Sequence, residues 1–148
     1  MNIFFLDNDI QKSVQSHCDK HVVKLILESY QMLTVCSHAY IHHPMTQWVR
    51  FTRQNFEYCQ QYFILLLDEY KYRYDRQHSY AALVSNIVHD DNLSSGGMTP
   101  PPLCMPRKCI VYGLDNPVTS YRNYYRYKDR NQFIMRWTRR DVPVWMNK

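Results

Sequence analysis

Glycine is scarce in this sequence, and long apolar runs are missing. Three glycines and seven prolines among 148 residues, with 15% aromatic and 45% hydrophobic residues, exclude a disordered tail and favour a folded globule. No apolar run approaches the roughly 18 residues that a membrane-spanning helix needs, and Asp7 and Asp9 interrupt the apolar N-terminal segment. We therefore expect neither a signal peptide nor a membrane partner.

Cysteine occurs at only five positions, an odd number, and three of the five fall in helical patterns. Together with the lack of a signal peptide, this pattern predicts free thiols in a reducing, cytoplasmic setting. A disulfide-stapled secreted fold is not expected.

The length fits a single domain over 1–148, large enough to bury a core. The charge is unevenly distributed: residues 1–91 carry eight Lys/Arg and ten Asp/Glu, whereas residues 92–148 carry ten and three. The basic part is interleaved with tyrosines and lacks a basic amphipathic helix with a clean apolar side. It therefore fits a nucleic-acid backbone better than a membrane surface, with a merely solvated basic surface as the alternative.

Hydrophobic periodicity and the positions of proline predict four helical segments. The predicted segments are 9–37, capped by Asp7-Asn8-Asp9 and followed by a connection near 38–45; 46–76, as one long helix or two with a bend; 79–90, with Ala82, Leu83 and Ile87 inward; and 116–130, with Pro117 in its first turn. The opening NIFFL is either a short buried strand or an extended segment threaded against the helices.

The predicted fold class is mainly α: a compact single-domain helical bundle with a long central helix. Residues 1–91 form the helical core, and residues 92–148 form an irregular, basic and aromatic third. The latter begins with a long loop at 92–108 that contains a Pro-Pro-Pro run, and a loop of that length inside a compact domain is often functional.

Residues 17–29, HCDKHVVKLILES, carry a polar stripe along the first predicted helix. At about 100° per residue, the four side chains project within a sector of about 60°. They are His17, His21, Lys24 and Glu28. An aliphatic packing stripe lies beside them, and polar groups next to a packing face need partners, because each costs about 1 kcal/mol or more if buried unpaired.

Three interpretations of this stripe stay open. In the first, His17 and His21 hold a metal ion, since histidines at i and i+4 form helical zinc sites, although Lys24 would repel the ion. In the second, the histidines are structural and bond to Glu28 or to a backbone carbonyl. In the third, the stripe is an active site for a polyanionic substrate, where Glu28 is the acid/base and His21 and Lys24 contact phosphate or steer the leaving group.

The string HCDKHVVKLILES, followed by HHPMTQW, EYKYRY, SYRNYY and WTRRDVPVW, resembles small proteins of phages and large DNA viruses over most of the chain. A more distant resemblance is to the phage pyrimidine-dimer DNA glycosylase/AP lyase family of the endonuclease V type. Those proteins share an apolar N-terminal segment, a first helix with His followed seven residues later by Glu, a long central helix and an aromatic-basic C-terminus. His21 and Glu28 match that interval, and Trp137 or Trp145 could match the terminal aromatics.

The resemblance implies DNA as the partner and a mechanism without metal or cofactor. The family's free α-amine attacks C1′ of the nucleotide and forms an imine, and β-elimination then cuts the strand. Glu28 would stabilise the sugar cation and move protons, with His17, His21 and Lys24 near phosphates. The amine would belong to Met1, because Asn2 is bulky for removal of the initiator, or to Asn2 if removal occurs. Lys24 as a substitute amine, and binding without cleavage, stay open.

Arginines interleaved with aromatic residues are the predicted DNA contacts. Arg122 and Arg126, with Arg130, are spaced by four on one helical face among tyrosines that either stack on bases or belong to the core. The other predicted contacts are Trp137, Arg139 and Arg140 near the C-terminus, and Arg50 and Arg53 at the start of the long helix.

The leading hypothesis is a DNA glycosylase/AP lyase whose central carboxylate, Glu28, lies in an open basic cleft. One alternative is a non-catalytic viral protein that binds nucleotides or nucleic acid, with a counter-defence role in the host cytoplasm. A second alternative is a metal-dependent hydrolase that uses His17, His21 and a loop ligand.

Overall fold

The structure, a computed structural model, describes residues 1–34, 40–88, 91–113, 117–131 and 133–147. The α-helices in these ranges are α1 (Ile10–Gln15), α2 (Asp19–Thr34), α3 (Pro44–Val49), α4 (Arg53–Tyr74) and α5 (Val118–Arg130), and 3-10 helices span Ser79–Asn86, Arg107–Cys109 and Val144–Asn147. The long helix α4 packs chiefly against α2. The predicted fold class, a mainly α bundle around a long central helix, is confirmed. No helix in the described ranges has the length and apolar character needed to span a bilayer.

The N-terminal residues 2–6 form an extended segment inside the helical core, which is the second of the two forms predicted for them. Ile3 and Leu6 are fully buried. The buried hydroxyl of Ser13, on α1, accepts the N–H of Leu6 at 2.9 Å and donates to the carbonyl of Phe4 at 3.1 Å. These bonds satisfy main-chain groups that have no strand partner, so α1 holds the segment in place.

The prediction of a single helix over 9–37 is wrong, because the helix is interrupted between α1 and α2. In a continuous helix, the carbonyl of Gln15 would accept from the N–H of Asp19. Here that carbonyl accepts from Arg73 at 3.1 Å, and the Asp19 N–H donates to the carbonyl of Arg136 at 2.8 Å. The indole of Trp137 also donates to the carbonyl of Ser16 at 2.9 Å. Tertiary partners thus replace the helical bonds, and His17 lies in the break.

The prediction for 46–76 is confirmed in its second form, as two helices with a bend. Thr52 is extended, with φ −128°, and its hydroxyl accepts the N–H of Asn55 at 3.1 Å. A capping threonine starts a new helix because it satisfies a first-turn N–H that has no carbonyl partner.

The α-helix predicted over 79–90 is a 3-10 helix at Ser79–Asn86. Ala82 is exposed, contrary to prediction, while Ile87, just after this helix, is buried.

The prediction for 116–130 agrees with α5, where Pro117 directly precedes the first helical residue. The predicted connection at 38–39, the predicted helix ends at 35–37 and 89–90, and residue 116 lie outside the described residues. Cys18, Cys59, Cys104 and Cys109 are free thiols, and Cys36 is outside the described part of the chain.

Candidate functional site

Glu28 meets the start of the chain in the middle of α2. Its Oε1 lies 3.6 Å from the terminal amine of Met1 and 3.3 Å from Nζ of Lys24, one helical turn earlier. Its Oε2 accepts the main-chain N–H of Asn2 at 3.1 Å. The carboxylate therefore has a cation or an N–H donor on both oxygens, and one of the donors is an α-amine.

The predicted open cleft around Glu28 needs correction. The Glu28 side chain is only 10% exposed, because the N-terminal segment and Lys24 cover it. Two of the covering groups reach the protein surface. The Lys24 side chain, which pairs with Oε1 of Glu28, is 62% exposed. The Met1 side chain is 2% exposed although the residue as a whole is half-buried, so the surface that Met1 presents is main chain, where the amine is.

The side chain of Asn2 fixes the position of the amine. Its amide donates to the carbonyl of Cys104 at 3.0 Å, and its carbonyl oxygen accepts from the hydroxyl of Tyr121 at 3.0 Å. The same hydroxyl contacts the carbonyl of Pro102 at 2.9 Å. Every bond joins a buried or half-buried group, so the segment bearing the amine is tied to α5 and to the 92–108 loop.

The 92–108 loop is also anchored in its middle, by α3 and α4. Asn55 accepts the N–H of Thr99 at 3.0 Å and donates to its hydroxyl at 2.8 Å, while the indole of Trp48 donates to the Thr99 carbonyl at 3.0 Å. The bonds at Thr99 hold the proline-rich run against α3 and α4, and the bond from Asn2 to Cys104 holds it against the N-terminal segment. This part of the loop forms a wall of the site.

The two stripe histidines are core residues. His17 is fully buried with its Nε2 on the hydroxyl of Tyr62, and His21 is 2% exposed with its Nδ1 2.6 Å from the hydroxyl of Tyr125. Phe133 and Phe4 stack on the His21 ring at centroid distances of 5.0 and 4.7 Å.

Burial also governs the charge of these histidines. It holds the pKa of His17 well below its ordinary value, helped by the charges of His21 and Arg73. It lowers the pKa of His21 to about 3, helped by the charges of Lys128, Lys24 and Lys20. Both rings are therefore neutral at neutral pH.

The predicted phosphate contact of His17 and the predicted catalytic role of His21 are corrected accordingly. A fully buried ring has no surface for a phosphate, and His21 is enclosed between two phenyl rings. Among the described residues, no three His, Cys, Asp or Glu side chains form a group that could hold a metal ion. Each stripe histidine instead bonds a different tyrosine, which matches the structural interpretation in kind but with other partners.

Apart from Arg53, the arginines predicted to contact DNA are engaged within the protein. Arg122 donates to the carbonyl of Leu6 at 2.7 Å and pairs with Asp7 at 3.1 Å, and Arg126 donates to the carbonyl of Trp145 at 2.8 Å. Arg139 pairs with Asp75, and Arg140 pairs with Glu69. Arg50 donates to the carbonyl of Leu33 at 3.4 Å, and the indole of Trp137 donates to the carbonyl of Ser16. Arg53 is exposed.

Three lysines lie around His21, and one of them, Lys24, pairs with Glu28 at 3.3 Å. We call Lys20, Lys24 and Lys128 the lysine patch; the charges of all three act on His21. Nζ of Lys128 lies 5.1 Å from the Tyr124 ring and 4.9 Å from the Phe133 ring. Burial, and the charge of Lys24, lower the pKa of Lys128, while Glu28 raises it.

Sequence reasoning found Lys24 from its helical spacing but missed Lys20 and Lys128. Lys128 is brought to the patch by the packing of α5, and no local pattern could have placed it there.

Comparison with protein families matches residues 1–81 to the pyrimidine dimer DNA glycosylase family. The match covers more than half of the 148 residues, and the chain belongs to this family. Membership identifies a DNA glycosylase-type enzyme with DNA as its partner. No curated protein and no solved structure matches the chain. The matched part includes the N-terminal segment, α2 and α4, and it ends before α5.

Proposed function

We propose that this protein is a DNA glycosylase with AP lyase activity, in which a terminal amine is the nucleophile and Glu28 is the catalytic carboxylate. The observation that carries the proposal is the contact between the amine of Met1 and Glu28, at 3.6 Å. Family membership supports the class of reaction, and the resemblance to the endonuclease V type supports the use of an α-amine.

The arrangement suits imine chemistry in each step. The neutral amine attacks C1′, the C1′–N bond breaks, and the base leaves with the bonding electrons and takes up a proton. The attached nitrogen loses a proton, the C1′–O4′ bond breaks as O4′ takes up a proton, and the opened sugar is held as an imine. Loss of a C2′ proton then expels the 3′ phosphate, and water hydrolyses the imine to return the amine. Glu28 touches the amine and is placed to accept its proton and to stabilise the cationic sugar.

The proposed nucleophile can be the α-amine of Met1 or that of Asn2. If Met1 is retained, its amine lies beside Oε1 of Glu28; if Met1 is removed, the nitrogen of Asn2 is already 3.1 Å from Oε2. Because the Asn2 side chain is held by Cys104 and Tyr121, removal of Met1 would leave that nitrogen in place. The amine thus reaches Glu28 in both forms of the chain.

We infer that the DNA backbone crosses the lysine patch. Lys20 and Lys24 are exposed, and Lys24 contacts the catalytic carboxylate directly. Ammonium groups bind phosphates and release counterions from DNA, which supplies affinity without reading sequence. Arg53, Arg130 and Arg139 are predicted arginine contacts that are exposed, whereas Arg122 and Arg126 would need to leave their internal partners to bind a phosphate.

Borohydride trapping on duplex DNA with one abasic site tests this function. The amine and the sugar aldehyde form an imine with loss of water, and borohydride reduces the imine to a stable amine that links protein and DNA. We expect a covalent adduct in the presence of a chelator, together with strand cleavage when borohydride is omitted. Tight, salt-dependent binding without an adduct would favour the non-catalytic binder, and chelator-sensitive cleavage without an adduct would favour a metal-dependent hydrolase.

A further inference from the structure

We propose that His43 is a further substrate-contacting residue of this site, and that its Nε2–H donates to an oxygen of the deoxyribose phosphate that the amine attacks. This inference rests on the proposed function. His43 is the residue before α3, on a different element from Glu28 and from the terminal amine. It adds a neutral side-chain donor to a site that contains the charged amine, Glu28 and Lys24.

The local geometry of His43 determines which ring nitrogen carries the proton. His43 is the N-cap of α3, with φ −67° and ψ 132°, and its Nδ1 accepts the N–H of Met45 at 3.1 Å. Pro44, at the first position of the helix, has no N–H that could compete for this acceptor. A neutral imidazole that accepts at Nδ1 carries its hydrogen on Nε2. The ring therefore has one committed acceptor and one N–H donor.

His43 belongs to the part of the chain that packs on the N-terminal residue, close to the proposed catalytic pair. The first turn of α3 packs on the N-terminal residue, since the hydroxyl of Thr46 contacts Sδ of Met1 at 3.4 Å and Met45 is fully buried. His43 itself is half-buried. Burial lowers the pKa of His43; the charge of the terminal amine lowers it further, and the charge of Glu28 opposes both effects. A neutral ring thus lies within electrostatic reach of both reacting groups.

His78 shows what a purely structural histidine cap looks like in the same chain. It caps the 3-10 helix Ser79–Asn86, and its Nδ1 accepts the N–H of Tyr80 at 3.2 Å. Its ring packs against Tyr70 and Tyr80 at centroid distances of 4.9 and 5.5 Å. The charge that acts on it is that of Arg76. His43 has the same cap geometry, but the charges that reach it are those of the amine and Glu28.

Two substitutions at position 43 separate the helix-capping role of His43 from its proposed role as a hydrogen-bond donor to substrate. In His43→Asn, the side-chain oxygen can still accept the N–H of Met45, but the distal N–H is lost. In His43→Gln, the amide nitrogen can take the place of Nε2, while the cap bond is lost. His78→Asn is the matched control, because it makes the same change at the other histidine cap.

The experiment measures single-turnover borohydride trapping, binding of the same abasic DNA and thermal unfolding for the wild type and the three variants. We expect His43→Asn to trap about 10- to 100-fold more slowly, with an unchanged unfolding temperature. This factor corresponds to the loss of one hydrogen bond to a charged oxygen. We expect His43→Gln to trap within about threefold of the wild type, with a lower unfolding temperature. His78→Asn should trap like the wild type.

If His43 acted only as a helix cap, His43→Asn would trap at the wild-type rate and His43→Gln would trap more slowly. Trapping by His43→Asn at the wild-type rate, or equal losses in His43→Asn and His78→Asn, would overturn the role of His43 while leaving the proposed function in place. Absence of any adduct with the wild-type protein would overturn the proposed function and this inference together.

Discussion

Asn2 and Glu28 are joined by a hydrogen bond from the main-chain N–H of one to Oε2 of the other, at 3.1 Å. This bond ties an extended segment to the middle of a helix and brings the terminal amine to a carboxylate across 26 residues of sequence. The relationship places a nucleophile and a proton acceptor in contact before any substrate is present. The proposed mechanism depends on that preorganisation.

Glu28→Gln should abolish turnover without unfolding the protein. The amide keeps the shape of the side chain and can accept the Asn2 N–H, but it cannot accept a proton or stabilise a cation. We expect trapping on abasic DNA to slow by about 100-fold or more, in line with the usual contribution of a positioned acid/base group. Glu57→Gln, at an exposed position of α4, is the control. Equal trapping by both variants would remove Glu28 from the mechanism.

The lysine patch should govern the salt dependence of DNA binding. We expect Lys20→Ala and Lys24→Ala each to reduce the slope of log K against log salt by about 1, because each removes one phosphate contact. Lys71→Ala, an exposed lysine near the end of α4, should leave the slope unchanged. If Arg122→Ala changed the slope and the lysine variants did not, the DNA path would follow α5 instead.

Stability should fall with acid because two buried histidines stay neutral in the fold. The folded pKa of His21 is about 3, and that of His17 is also lowered, whereas an unfolded histidine titrates near 6.5. The unfolded chain therefore binds more protons below pH 6.5, so the stabilisation is complete above that pH and is lost progressively toward pH 3.

Urea unfolding at several pH values between 7.5 and 5 measures this loss. His21→Gln should flatten the dependence of the free energy of unfolding on pH by about 1 kcal/mol per pH unit between pH 6 and 5. His42→Gln, at an exposed position, should leave the dependence as it is. An unaltered dependence in His21→Gln would mean that this ring is already protonated in the folded protein.

Arg73 should be among the most sensitive positions of the fold. Its side chain is fully buried and contacts Glu69 at 2.7 Å, Asp19 at 2.9 Å and the carbonyl of Gln15 at 3.1 Å. Arg73→Met would remove the buried cation between Glu69 and Asp19 and leave Glu69 with Arg140 as its partner, and we expect a loss of about 3 kcal/mol or more in the free energy of unfolding. Lys71→Met is the exposed control; similar losses in both variants would contradict the assigned role of the buried network.

Helical periodicity predicted α2, α4 and α5 because their packing faces are local patterns. It also placed Lys24 and Glu28 on one stripe, since both lie within a single regular helix. The break at His17 could not be predicted, because it depends on partners from Arg73, Arg136 and Trp137, far away in the chain.

The pairing of the predicted arginines with groups inside the protein could not be predicted from the sequence either. Whether Arg122 faces DNA or pairs with Asp7 is decided by how α5 docks on the N-terminal segment. The enclosed carboxylate of Glu28 has the same origin, since its cover is formed by residues at the start of the chain. Charge composition indicated a basic protein correctly but could not say which basic groups remain available.

The most direct measurement is the identity of the nitrogen that carries the sugar. After borohydride trapping on abasic DNA, nuclease digestion and proteolysis, mass spectrometry of the peptides locates the reduced adduct. We predict that the adduct lies on the α-amine of the first residue, Met1 or Asn2, next to Glu28 in the fold. An adduct on the side chain of Lys24 or Lys128 would contradict it.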